Sequence, residues 1–125
     1  MLNQRSLDRL KGVKQCLIDI LIEASKNSPY EFQIPPDGGL RTAEMQNALF
    51  LKKVSKCDGY NTISEHQKGT AFDIFLMIDG KASWDKTKLA AVANHIKQVA
   101  KTKFNTSLTW GGEWTSFKDL PHFQL

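Results

Sequence analysis

The chain has 125 residues, enough to bury one sizeable core and too few for two ordinary ones, so one domain spanning 1–125 is expected. Its composition, 41% hydrophobic and 24% charged, is that of a globular protein, and no apolar run approaches the length of a membrane span, which excludes stable insertion into a bilayer by the chain itself. A formal net charge of +4 at pH 7 favours an anionic partner such as nucleic acid, a membrane surface or a bacterial wall, and does not choose among them.

The opening MLNQRSLDRLKGVKQ has neither an uninterrupted apolar segment nor a small-residue cleavage site, so no secretory signal is expected. From Ser6 the series Leu7, Leu10, Val13, Leu17, Ile20, Leu21, Ala24 recurs at three and four residues, which predicts one amphipathic helix to about Lys26 with Ser6 as N-cap and Asp8 in its first turn. Cys16 falls on that stripe and is expected to be a buried free thiol; Cys16 and Cys57 form no C-x-x-C pair, and a disulfide between them stays open. NSPYEFQIPPDGGL, rich in proline and glycine, predicts a loop with a short strand at YEFQI. Thr42 can cap a second helix through AEMQNALFLKKVS, with Met45, Leu49 and Val54 on one side, stopping by Gly59. TAFDIFLMIDGK predicts one strand ending in a tight turn at Asp79-Gly80. A third helix over about Asp85 to Thr102 turns Leu89, Val92, Ala93, Ile96, Val99 and Ala100 inward, and SLTWGGEWTSF reads as a strand interrupted by paired glycines. The basic residues come as RSLDRLK, LKKVSK and KQVAKTK, mixed with apolar residues as on solvated helix faces. The expected class is α+β, a small antiparallel sheet packed with helices.

Three histidines are present, and each can be weighed singly. His95 lies beside the apolar stripe of the third helix and reads as a surface residue. His66 and His122 each fall in a predicted loop next to a strand, with Asp73 and Asp119 as the nearby carboxylates. A catalytic zinc ion needs three protein ligands from His and carboxylate plus an open position for water, and His66, Asp73 and His122 meet that requirement. Gly69 would let the backbone turn between His66 and Asp73, and metal coordination would remove the cost of a charge set in the apolar run AFDIFLMI. Asp119, three residues before His122, is placed to act as a general base. The plainer alternative is a capped turn at His66 and a salt-bridged edge residue at Asp73; neither H-E-x-x-H nor C-x-x-C is present.

SEHQKGTAFD resembles the S-x-H-x-x-G-x-A-x-D motif of the M15 zinc peptidases, matching it at Ser64, His66, Gly69, Ala71 and Asp73. WGGEWTSFKDLPHFQL is similar to the ending of the phage endolysin branch of that family, and LRTAEMQNALF to its upstream arginine-containing segment. The resemblance runs from about Arg41 to the C-terminus and implies a DD-peptidase/hedgehog-like zinc peptidase fold. It implies Zn2+ on His66, Asp73 and His122, Asp119 as catalytic base, and Arg41 contacting substrate or steadying developing negative charge. Ser64, Trp110 and Trp114 are its candidate substrate contacts, and Gln46 a packing or supporting residue. Leu40 departs from the pattern, standing where an aromatic residue often precedes the arginine.

The implied function is a bacteriolytic hydrolase, an endolysin that cleaves an amide bond of the peptidoglycan stem peptide between L-Ala and D-Glu. Such a protein would be made in the host cytoplasm as a monomer, be released to the wall by a holin, and act in the periplasm or cell wall, with no nucleic-acid partner. Two other readings fit the same residues: a D-Ala-D-Ala carboxypeptidase or dipeptidase, and a catalytically silent wall-binding or virion structural module.

Overall fold

The computed structural model describes residues 1–116 and 118–125; Phe117, at the end of the predicted strand SLTWGGEWTSF, lies outside the described residues. The elements in chain order are α1 (Gln4–Arg9), α2 (Gln15–Ser25), β1 (Glu31–Gln33), α3 (Ala43–Leu51), a 3₁₀ helix (Glu65–Lys68), β2 (Ala71–Asp73), β3 (Phe75–Ile78), β4 (Lys81–Ser83), α4 (Lys86–Phe104), β5 (Thr109–Trp110), a second 3₁₀ helix (Gly111–Glu113) and β6 (His122–Gln124). Among the described residues the strands form two antiparallel three-stranded sheets, ordered β1-β3-β4 and β2-β6-β5. The α+β class and antiparallel pairing agree with the sequence reading. None of the described helices is long and apolar enough to cross a membrane.

The predicted first helix is in fact two. α1 ends at Arg9, and the chain turns through Gly12 at φ 89°, a left-handed conformation that glycine enters without a Cβ penalty. The turn lets Lys14 donate to the Gly69 carbonyl (2.9 Å), which ties it to the segment after the first 3₁₀ helix. Asn3, not Ser6, caps α1; Ser6 is buried inside it, and its hydroxyl accepts from the Ile34 N–H (2.9 Å). The break also resets the helical phase. α2 buries Leu17, Ile20, Leu21 and Ala24 and leaves Cys16 exposed, so the expected burial of that thiol is corrected; both cysteines are free.

The run at 71–78 divides at Ile74, whose N–H donates to Pro121 O (3.0 Å), so β2 and β3 enter different sheets. Asp79 and Gly80 both take positive φ, as a two-residue hairpin turn requires, and the turn leads into β4, which the sequence reading did not anticipate. α3 carries the expected Thr42 cap, a bond from Met45 N (3.1 Å), but no buried apolar stripe. Met45 and Val54 are exposed, and the residue that α3 buries is Gln46.

α4 buries the six expected residues, is capped by Asp85, and packs on α2. His95 is half-buried rather than a plain surface residue: its Nε2 donates to Ala24 O (2.8 Å), a carbonyl of the last turn of α2. Phe72 and Phe123 face each other across β2 and β6 with ring centroids 5.0 Å apart and form the core side of that sheet. Removing the Phe72 ring leaves a cavity directly behind the β2–β6 pair; Phe72→Ala is expected to cost about 3–5 kcal/mol in equilibrium urea unfolding.

Candidate metal centre and cleft

Successive residues of a strand point to opposite faces, so the pairing that buries Phe72 against Phe123 puts the neighbouring cross-strand pair, Asp73 and His122, on the other face. Gln124 shares that face with His122. β6, which the sequence reading treated as a loop, thus delivers His122 as a strand residue at a defined register.

His66 comes from the first 3₁₀ helix rather than a loop. The Ser64 N–H donates to Gln67 Oε1 (3.0 Å) at the start of that helix, and Gly69 closes it in the left-handed conformation at φ 73°. The Nδ1 of His66 donates to Gly39 O (2.9 Å), so in the neutral ring Nε2 carries the lone pair. The Nε2 of His122 donates to Gln124 Oε1 (2.8 Å), leaving the lone pair on Nδ1. These two nitrogens lie 3.1 Å apart, and each lies 3.1 Å from Asp73 Oδ1.

Three lone-pair donors converging without a proton repel one another, and a cation at their centre removes the conflict. Tetrahedral bonds of ~2.0–2.1 Å place ligand atoms roughly 3.3 Å apart, close to the separations here. His66, Asp73 and His122 therefore fit a metal ion, with one ligand atom from each within 4.8 Å of the others. Both histidines are buried, and both have the outer hydrogen bond that fixes a ligating ring.

The site opens on a cleft of about 780 Å³ lined by Arg41, Ser64, Trp114 and Asp119 along with the cluster itself. Arg41 is not the surface residue that its place before a helix would suggest. Its Nη2 pairs with Asp73 Oδ2 (3.1 Å), its Nη1 donates to Gln46 Oε1 (3.0 Å) and its Nε to Asp37 O (2.8 Å). Gln46 is fully buried and donates onward to Ser55 Oγ (2.7 Å) and Cys57 O (2.8 Å), so one amide ties the guanidinium to the 55–57 segment of the cleft wall. The sequence offered Gln46 only as packing or support; its glutamine identity in the arginine segment was the signal.

Asp119 is held by its backbone. Its N–H donates to Gly111 O (3.1 Å) and its carbonyl accepts from His122 N (3.0 Å); a Cβ at position 111 would stand 2.2 Å from Asp119 O, which leaves glycine as the residue that fits. The ring of Trp114 is tilted against His122 at 5.4 Å. Trp110, predicted as a substrate contact, is instead buried in the core, where its indole donates to Leu120 O (2.7 Å) just before Pro121-His122. Ser64 Oγ is buried at the cleft with no hydrogen-bond partner among the described residues.

The electrostatics follow from this packing. Burial dehydrates the Asp73 carboxylate, but when no cation sits at the centre of the cluster, His122 and His66 in their protonated forms donate to it, outweigh that cost and hold its pKa well below the usual carboxylate range. Burial would likewise lower His122, yet the adjacent Asp73 raises it above the ordinary 6.5. Asp119 goes the other way: dehydration and then the Asp73 charge push its carboxyl above the ordinary 3.8. Asp119 is exposed as a residue but lines the cleft beside the cluster, where neighbouring groups partly dehydrate its carboxyl.

Fold and cluster together define a class: a small α+β hydrolase of the peptidase kind, with a His–Asp–His group that could hold a metal ion beside a cleft. The chain belongs to the phage L-alanyl-D-glutamate peptidase family, whose sequence profile matches residues 1–123. It is similar to the crystal structure of the Serratia marcescens L-Ala D-Glu endopeptidase ChiX, at 30% identity and a TM-score of 0.86 over the whole chain and 90% of that chain.

A proton on His122 competes with a metal ion for Nδ1, and its raised pKa extends that competition upward. Zinc affinity measured by isothermal titration is expected to weaken as pH falls from 8, with the decline setting in at a higher pH than for an unperturbed histidine, which is half protonated at pH 6.5. Equal affinities at pH 6 and pH 8 would contradict a two-histidine site.

Proposed function

We propose that residues 1–125 act as one zinc-dependent catalytic unit, an endolysin that hydrolyses the L-Ala–D-Glu amide of the peptidoglycan stem peptide. Membership of the phage peptidase family supports the bond and the substrate. The observation that carries the metal is the convergence of two imidazole lone pairs on one carboxylate oxygen at 3.1 Å. Zinc held by His66 Nε2, His122 Nδ1 and Asp73 Oδ1 would supply a Lewis acid and lower the pKa of a water.

The chain's own groups supply the rest. Asp119, dehydrated and repelled by Asp73, is a better base than an ordinary aspartate; it takes the proton of the attacking water and returns it to the leaving amine. Arg41 spends three of its five N–H donors on Asp73, Gln46 and Asp37 and keeps one on each terminal nitrogen. Those remaining donors stabilise negative charge developing on the scissile carbonyl oxygen. The unpartnered Ser64 hydroxyl is completed by a polar group of the substrate, since an unsatisfied buried hydroxyl is costly. Trp114 forms an apolar wall beside His122.

The net charge of +4 favours accumulation on an anionic wall. The protein acts there as a monomer, made in the host cytoplasm and released by a holin.

Asp119→Ala is expected to lower kcat at least about a hundredfold while zinc stays bound, the scale of lost general-base catalysis. Digests of purified muropeptides by the parent, read by mass spectrometry, are expected to show a separated lactyl-Ala stem; free D-Ala would indicate a carboxypeptidase instead. Because the pKa of Asp119 is raised, its basic form is lost as pH falls through that higher value, and kcat is expected to decline on the acid side at a pH above the ordinary 3.8. A pH profile flat down to pH 4 would contradict the assignment.

A further inference from the structure

α3 ends in a Schellman turn: Val54 N donates to Leu49 O (3.1 Å) and Lys53 N to Phe50 O (2.9 Å). This motif puts the residue after the cap in the left-handed region, where glycine is usual and asparagine next. Here that residue is Lys53, at φ 63°. The other described non-glycine residues with positive φ are Asp79 and Asn105, types that tolerate it. Lysine gains nothing from this conformation, so the strain points to a use for its side chain.

The placement suggests the use. Lys53 lines the cleft together with Leu49 and Val54, the two residues joined by the backbone bond of this turn. It has no ion-pair partner among the described residues, whereas the cleft's Glu65 is engaged by Lys68 and Thr70, and Asp73 by the histidines and Arg41. Through Gln46, the 55–57 segment that follows Lys53 is registered to Arg41 and hence to the reacting centre.

Glutamate has two carboxyl groups and a linear peptide uses one, so a substrate cut at L-Ala–D-Glu keeps a spare carboxylate within a few bonds of the scissile nitrogen. We infer that Lys53 is a specificity-determining residue that recognises this carboxylate of the D-glutamyl residue. The inference rests on the proposed L-Ala–D-Glu activity and deepens it.

The test compares two synthetic stem peptides containing L-Ala-D-Glu, identical except that the spare carboxyl is free in one and amidated in the other. Parent, Lys53→Gly and Lys53→Asn are assayed on both, and their melting temperatures are recorded; glycine and asparagine both suit the left-handed position. The parent is expected to prefer the free acid, and both variants to lose that preference by roughly fivefold in kcat/KM, the scale of a partly solvated ion pair. Their melting temperatures are expected to equal or exceed the parent's. A preference that survives in both variants overturns the inference, as does an equal loss on both peptides, which would make Lys53 a structural residue. A parent that cleaves neither peptide refutes the proposed activity itself, a separate result.

Discussion

The site depends on the pairing of β2 with β6. One register places Phe72 against Phe123 in the core and, one residue along, Asp73 against His122 in the cleft. The two pairs enforce each other. A slip of one residue by either strand would turn its phenylalanine out of the core and its ligand candidate into it, so the apolar energy of the ring pair also fixes the geometry of the polar one. His66 arrives from outside the sheet, and its position is fixed by a helical turn of four residues and by the Gly39 carbonyl. The cluster is thereby assembled from parts of the chain with little freedom to move independently.

Around this core the molecule uses backbone and amide hydrogen bonds where small domains more often use apolar packing. α3 has no buried apolar stripe; Gln46 and Asn47 hold it through bonds to Ser55, Cys57 and Asp58. Asp119 is seated by Gly111, and the turn before His122 is pinned by the Trp110 indole. Hydrogen bonds of this kind contribute modestly to stability but are directional, which suits a wall that must hold Arg41 in one orientation. The cost is a strained lysine, an unpartnered serine hydroxyl and three lone pairs directed at one point, all at the cleft. Departures from local preference gathered at one site are the signature of a functional surface.

Much of this was legible in the sequence where one strong period decides the structure. α4 shows it best, because six apolar residues at helical spacing admit a single buried face. His66, Asp73 and His122 could be grouped because each is a scarce residue type beside a turn or strand signal, and the family resemblance narrowed their roles. Tertiary contacts account for what was missed. The stripe from Leu7 to Ala24 is continuous in sequence, and only the left-handed Gly12, held near Leu40 and Gly69, splits it and exposes Cys16. AFDIFLMI has no internal break signal, and its division at Ile74 follows from a bond to Pro121, far along the chain. Trp110 and Trp114 look alike in sequence, yet the strand β5 turns one into the core while the other borders the cleft.

The central claim is that His66, Asp73 and His122 together hold one metal ion. Its most direct test is metal content by inductively coupled plasma mass spectrometry of the folded protein after loading with zinc and dialysis, beside an Asp73→Ala variant shown to be folded. One zinc per chain in the parent and none in the variant is the predicted result. A parent that retains no zinc, or a variant that retains as much as the parent, would contradict it.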